Sequence, residues 1–288
     1  MPSVVRPASF EAPATASWFT PRRFALFLGF LVFASFPALL VGSQAFVFRD
    51  YGLFGYPLAI FQRDCFWRGE LPLWDPLNYC GLPFLAQWNT MALYPPSLIY
   101  LLLPMPWALS VFCLVHLFWG GLGTYFLATE WTKHRLAASL AGVIFAFNGF
   151  MLCSLVWPSQ VATLAWTPWL VWLVPSGWRQ GGRKAARAVL LSSMQMLAGG
   201  PETILLTWTI LTLLAAWDWV QTRGQRLKII TRFAVVVFLV ASVCAAQLLP
   251  FLQLLARSQR DTGFGSSMWA LPLSGWANFL VPLFETYR

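Results

Sequence analysis

Residues 107–128 read WALSVFCLVHLFWGGLGTYFLA, an uncharged run as long as the ~20 residues a helix needs to cross the hydrocarbon core of a bilayer. A segment in lipid must satisfy its backbone polar groups internally, so such a run is a helix. Comparable apolar segments fall at 24–47, 135–153, 159–175, 187–199, 202–220 and 232–253, with a shorter oily stretch at 97–104. Hydrophobic residues make up 58% and charged residues 10%, and the mean hydropathy is +0.64. The chain reads as all-α, a polytopic transmembrane helical bundle with roughly seven spans. A soluble domain is excluded.

The formal charge of +9 would suggest nucleic acid in a soluble protein, but in a membrane protein Lys and Arg in short loops report orientation. With the N-terminus cytoplasmic, the inner loops collect Arg6, Arg22, Arg23, Lys133, Arg135, Arg179, Arg183, Lys184, Arg187, Arg223, Arg226, Lys228 and Arg232. The outer regions keep Arg49, Arg63, Arg68, Arg257, Arg260 and Arg288. The basic balance is thus mostly an orientation signal, and no nucleic-acid partner is expected. Residues 1–21, rich in Pro, Ala and Ser, read as a disordered cytoplasmic tail, and 22–256 as the transmembrane domain. Arg22-Arg23 before an apolar run imitates an export signal, but the run is long for a cleaved peptide and more spans follow.

The first outer loop, 48–96, breaks the oily pattern. Residues 49–84, RDYGLFGYPLAIFQRDCFWRGELPLWDPLNYCGLPF, hold Asp50, Asp64, Glu70 and Asp75. From Tyr51 to Trp67, Phe54, Leu58, Phe61 and Cys65 recur at three- and four-residue steps, which predicts an interfacial helix with that face down, Pro57 in its first turn, and Gln62, Arg63 and Arg68 facing away. The Pro- and Gly-rich remainder predicts an ordered turn-rich segment with Trp74 and Tyr79 as interfacial anchors. Cys65 and Cys80 share this loop as two free thiols or, in an oxidising compartment, a disulfide. Cys113, Cys153 and Cys244 sit in spans as small apolar-like residues. No spacing demands a metal; a divalent ion is conceivable but not indicated, and no cofactor is expected.

Ionisable groups at or near membrane depth are the candidates for chemistry, because their burial is costly unless they are paired or wetted. Asp50, at the end of the first span, suits general-base work on a hydroxyl; the plain alternative is an Arg49/Asp50 pair that orients the loop. LAGGPE at 197–202 breaks an apolar stretch on the same side and presents Glu202, either as a second acid or on a simple hairpin. His116 is either a proton-handling or ligand-binding group or a neutral interhelical histidine. Asn148, Gln195, Gln247 and Gln253 read as interhelical hydrogen-bonding groups. Arg257 and Arg260, cations on the outer side, fit a lipid phosphate or serve as interfacial anchors.

FVFRD, GELPLWDPLNYCGLPF, ALYPPSLIYLLLP, LVHLFWGGLGTYFLA, RLAASLAGVIFAFNGFM, AWTPW, MLAGGPE and AAQLLPFLQLLARSQR follow one another from about residue 24. In this order they resemble the bacterial YfhO-like membrane proteins, of the wider GT-C group of polyprenyl-phosphate-dependent glycosyltransferases. The resemblance implies a GT-C-like fold in a bacterial inner membrane and transfer of a sugar from a polyprenyl-phosphate carrier to an extracytoplasmic glycan, polymer or protein acceptor. By motif position Asp50 would be the base. Glu202 would be the second catalytic residue, Arg49, Arg257 and Arg260 would serve the phosphate, and Glu70, Asp75 and His116 the substrate, with Glu202, or Glu70 with Asp75, positioning the acceptor. Such proteins usually carry further spans, so 257–288 is expected to begin a further outer segment that is cut short, with a missing half or partner subunit. The rival expectation is a non-catalytic membrane protein, a lipid-linked-sugar transporter or an assembly subunit.

Overall fold

The computed structural model describes residues 18–258 apart from Tyr79. The tail expected over 1–21 lies mostly outside the described residues, as do Arg260 and nearly all of 257–288. The chain divides into two units, 1–254 and 255–288, of which the first holds the bundle and the loop that covers it.

Helices α1 (Pro21–Ser35) and α2 (Pro37–Leu40) open the fold. Pro21 sits in the first turn of α1, where its missing N–H costs nothing, and the Thr20 hydroxyl accepts from Arg23 N at 3.4 Å. After the outer loop, which carries α3 (Tyr56–Trp67), come α4 (Trp107–Thr132), α5 (Arg135–Phe147), α6 (Gly149–Cys153), α7 (Pro158–Leu173) and α8 (Pro175–Gln180). Four more follow: α9 (Arg183–Leu197), α10 (Pro201–Gln221), α11 (Arg226–Val243) and α12 (Ala245–Arg257). Among the described residues there is no strand, only an isolated bridge between Asp75 and Leu82.

The expected apolar segments are largely helical, although residues 41–47 of the first are not, and they are not equally able to span. Among the described residues three helical stretches are long and apolar enough to cross a membrane, Trp107–Thr132, Arg135–Val156 and Pro201–Gln221. The number is up to four if Arg223–Val243 and Ala245–Arg257, bent by 79°, count as one. The remaining segments fall short of the roughly seven expected because prolines cut them. Helix α1 stops after 15 residues before Pro37, α7 after 16 before Pro175, and α9 after 15 before the Gly199-Gly200-Pro201 break. At ~1.5 Å per residue such pieces reach only part of the ~30 Å core.

Small residues let α4 sit close to its neighbours. A Cβ on Gly121 would lie 2.9 Å from the Gly142 carbonyl, and one on Gly123 2.5 Å from the Trp169 indole nitrogen. Without an aqueous driving force between helices, this close backbone approach is what dispersion needs. Trp169 Nε1 donates to Trp119 O at 3.0 Å and the two rings stack at 4.3 Å, so α4 and α7 run side by side in one direction.

Such pairings also place the charges. Phe24 near the start of α1 stacks on Tyr125 near the end of α4 at 4.4 Å, and Tyr125 donates to Phe19 O. Asp218 at the end of α10 accepts from Arg179 Nε (2.6 Å) and Nη2 (2.9 Å) and from Trp178 Nε1 (2.8 Å), while Arg232 Nη1 of α11 donates to Arg179 O. The described arginines and lysines expected on the inner side therefore gather at one end of the bundle. The outer loop covers the other.

Between α7, α9 and α10 runs a seam of uncharged polar groups. Gln195 Nε2 donates to Thr207 Oγ1 (2.9 Å), Thr167 Oγ1 (3.2 Å) and Thr163 O (3.3 Å), and Thr167 pairs with Thr207. This matches the interhelical role expected of Gln195. Asn148 instead caps α6 through Met151 N, and Gln253 lies exposed without a side-chain bond among the described residues.

Candidate functional site

The 48–96 loop, expected on the outer side, is a built cap rather than a tether. It begins with a π-helical turn, Tyr51–Gly55, that leads into α3 with Pro57 in the first turn, as expected. The buried face of α3 differs in part from the expected one. Cys65 of the expected stripe is buried, but Ala59 and Gln62 point inward with it, Gln62 being 1% exposed with Nε2 donating to Ser97 Oγ at 2.7 Å, whereas Phe54 is 39% exposed. The apolar stripe misjudges the rotation because a cap can bury a polar side chain once a neighbouring turn supplies its partner. Arg63 does not face away freely: its side chain is 17% exposed, pairs with Asp64 at 2.9 Å and lies over Trp67.

Pro95 and Pro96 start the 3-10 turn Pro95–Leu101, which brings Tyr94 inward. Its hydroxyl accepts from Trp166 Nε1 and donates to His116 Nε2, each at 2.7 Å, while His116 Nδ1 donates to Phe112 O at 2.7 Å. Both ring nitrogens of His116 are thereby engaged, one by its own helix and one by the loop, rather than by a neighbouring helix as the interhelical reading expects. Burial pushes the Tyr94 phenol above its ordinary value, so it keeps the proton it donates. Tyr51 likewise pairs with Ser110 of α4 at 3.2 Å.

The four loop acids do different things. Asp75 is buried: it accepts from Leu77 N at 2.9 Å and from Asn78 Nδ2, and its backbone exchanges two 2.8 Å bonds with Leu82, closing the turn at 75–82. Trp74 covers Gly81, whose φ of +117 and lack of a Cβ both the turn and the indole require. Tyr79 lies outside the described residues. Glu70 is exposed and pairs with Arg68 at 2.9 Å, and Asp64 pairs with Arg63. Asp50 differs: 21% exposed, it accepts no hydrogen bond among the described residues, and its nearest cation is Arg49 at 3.9 Å. Arg49 itself sits in the left-handed region with φ of 50. Cys65 is buried, Cys80 exposed, and both are free thiols. Burial raises the Cys65 thiol above its ordinary value, against the opposing pull of Arg68.

Glu202 stands in the first turn of α10, where a carboxylate complements the exposed N–H groups, and accepts from Gln160 Nε2 at 3.1 Å. Its hairpin is fixed by close approach: Gly199, at φ +80, would put a Cβ 2.2 Å from Trp88 O, and Gly200 N donates to Thr163 Oγ1 at 2.9 Å. Trp88 Nε1 returns a 2.6 Å bond to Met196 O, and Gln247 of α12 donates to Leu85 O at 2.6 Å.

A cleft of about 340 Å³ opens between the first turns of the loop and its 77–89 arm. Leu53 and Phe54, just after Asp50, form one wall; Asn89, on which Gly199 presses, belongs to the other. The cleft is the feature that the sequence did not reveal, since its walls lie 19 to 36 residues apart and no apolar periodicity encodes their meeting. Among the described residues no three His, Cys, Asp or Glu side chains group to hold a metal. Arg257 ends α12 exposed; Arg260 lies outside the described residues. Comparison with family models, with curated proteins and with solved structures finds no match to this chain.

Proposed function

We propose that the chain is a membrane-embedded glycosyltransferase-like protein of the GT-C type, working at the end of the bundle opposite its basic residues, on the outer face of a bacterial inner membrane. The observation that carries this reading is Asp50: the loop acid with no hydrogen bond among the described residues, three residues from the wall of an ordered cleft. In the proposed step the acceptor hydroxyl gives its proton to the Asp50 carboxylate. The acceptor oxygen forms a bond to the sugar's anomeric carbon as the bond from that carbon to the carrier phosphate oxygen breaks, and the phosphate leaves with the electron pair. Arg49, and on charge grounds Arg257 and Arg260, would attract the carrier phosphate. Glu202, held by Gln160, would orient the acceptor; Glu70, Asp75 and His116 support the cap.

A second reading, a lipid-linked-sugar transporter or assembly subunit, is favoured by the separate engagement of most acids: Asp75 by its own turn, Glu70 by Arg68, Glu202 by Gln160. Transfer of labelled sugar from a polyprenyl-phosphate carrier, measured in membranes with any partner subunit supplied, separates the two. Asp50→Asn removes the basic lone pair and should lower transfer by about 10²-fold or more. Transfer equal to the parent's would dismiss Asp50 as base, and parent membranes that transfer no more than membranes without the chain would favour the non-catalytic reading.

A further inference from the structure

We infer that the cleft between the Tyr51–Gly55 turn and the 77–89 arm binds the uncharged, hydroxyl-rich headgroup of an amphiphile. Among the described residues its lining contains no ionisable side chain, but it does contain three primary amides, Asn78, Gln87 and Asn89. Each amide offers both donors and an acceptor, which matches vicinal hydroxyls, whereas an anion or cation would enter without a counter-charge and lose its hydration. Asn78 is set in advance: its Nδ2 is committed to the buried Asp75, which leaves Oδ1 as an acceptor. No hydrogen bond among the described residues engages the Gln87 or Asn89 side chains.

The rim points to a tail. Leu53 is 72% exposed and Leu77 82% exposed, so two bare leucines stand beside the three amides at the end of a membrane bundle. An apolar chain lying across them would cover that surface while the headgroup reaches the amides. The volume of about 340 Å³ falls at the lower end of the ~300–1,000 Å³ typical of small-molecule sites, suited to one headgroup rather than a polymer. The inference rests on the proposed reading in taking this end as the working face, but uses none of the acids that the transfer step needs.

The test uses the full chain in phosphatidylcholine nanodiscs and saturation-transfer difference NMR with three probes sharing one tail: hexyl β-glucoside, hexyl β-glucuronide and hexanol. The glucoside ring protons should saturate, with the glucuronide at least ten times weaker and hexanol showing no saturable site. Gln87→Leu with Asn89→Leu should weaken the glucoside about tenfold or more, the scale of two lost hydrogen bonds. Leu82→Trp, which fills the cleft without deleting a polar group, should do the same, with thermal unfolding checked for each variant. Equal affinity in both variants, or equal binding of the charged and neutral probes, would overturn the inference. Asp50→Asn should bind the glucoside as the parent does; lost transfer with retained binding fits both proposals, unchanged transfer removes only the transfer step, and lost binding removes the cleft as the site.

Discussion

The Tyr94 hydroxyl stands 2.7 Å from His116 Nε2 and 2.7 Å from Trp166 Nε1, so one phenol on the outer cap joins α4 to α7. Tyr94→Phe leaves an acceptor and a donor unpaired in the interior. Each orphan costs about 1–3 kcal/mol, and thermal unfolding in detergent should shift down accordingly. A variant that unfolds at the parent's temperature would show that the cap is not held there.

Asp75→Ala strips the turn at 75–82 of the carboxylate that receives Leu77 N and Asn78 Nδ2. The turn should loosen without unfolding the bundle, because what remains to hold it is local: the two backbone bonds between Asp75 and Leu82 and the bond from Gly81 N to Asn78 O. Limited proteolysis should then cut within 76–82 in the variant and spare the parent.

Gly199→Ala asks a side chain to occupy a left-handed φ and to stand 2.2 Å from Trp88 O. Strain of ~1 kcal/mol from the backbone adds to the cost of pushing the carbonyl away. The variant should lose stability by more than that strain alone, whereas Gly149→Ala, which meets nothing within 4 Å, should shift it little. Chemical denaturation of both proteins under one condition provides the comparison.

The two loop thiols should react unequally. Cys80 is exposed, while Cys65 is buried with its thiol raised above the ordinary value, so at neutral pH an impermeant maleimide should modify Cys80 and leave Cys65 until the cap opens. Raising the pH favours the Cys65 thiolate only above that raised value, so moderate alkalinity should not reverse the order. Intact cells also report orientation. Labelling of Cys80 only after permeabilisation would put the cap on the inner side.

Much of this architecture is legible in the residues themselves. Uninterrupted runs such as 107–128 and 202–220 form long helices because nothing in them breaks the backbone ladder, and Arg22, Lys133, Arg179 and Arg223 mark one end because loops between spans are short. What escapes a reading along the chain are contacts made across it. Apolar neighbours at three- and four-residue steps put Gln62 on the water side, yet its partner, Ser97, lies on a turn far along the sequence. Composition groups Asp75 with acids available for chemistry, though the local Asp-Pro-Leu-Asn sequence is a turn signal whose aspartate folds back on its own backbone. The span count differs for a further reason: hydropathy measures composition, while Pro37 and Pro175 decide how far a helix continues.

The bond from Gln247 to Leu85 O, with the Phe251 ring tilted against Trp88 at 4.9 Å, joins parts of the chain that a ribosome makes at very different times. Leu85 emerges 162 residues before its donor, and Trp88 waits for the Met196 carbonyl across 108. During synthesis the 85–88 segment therefore passes through a period with its last polar groups and an indole unclaimed, after the helices around it have entered the membrane. Chains released before residue 247 would lack the donor for Leu85 O and the ring against Trp88, so the cap's last ties depend on helix α12 being made.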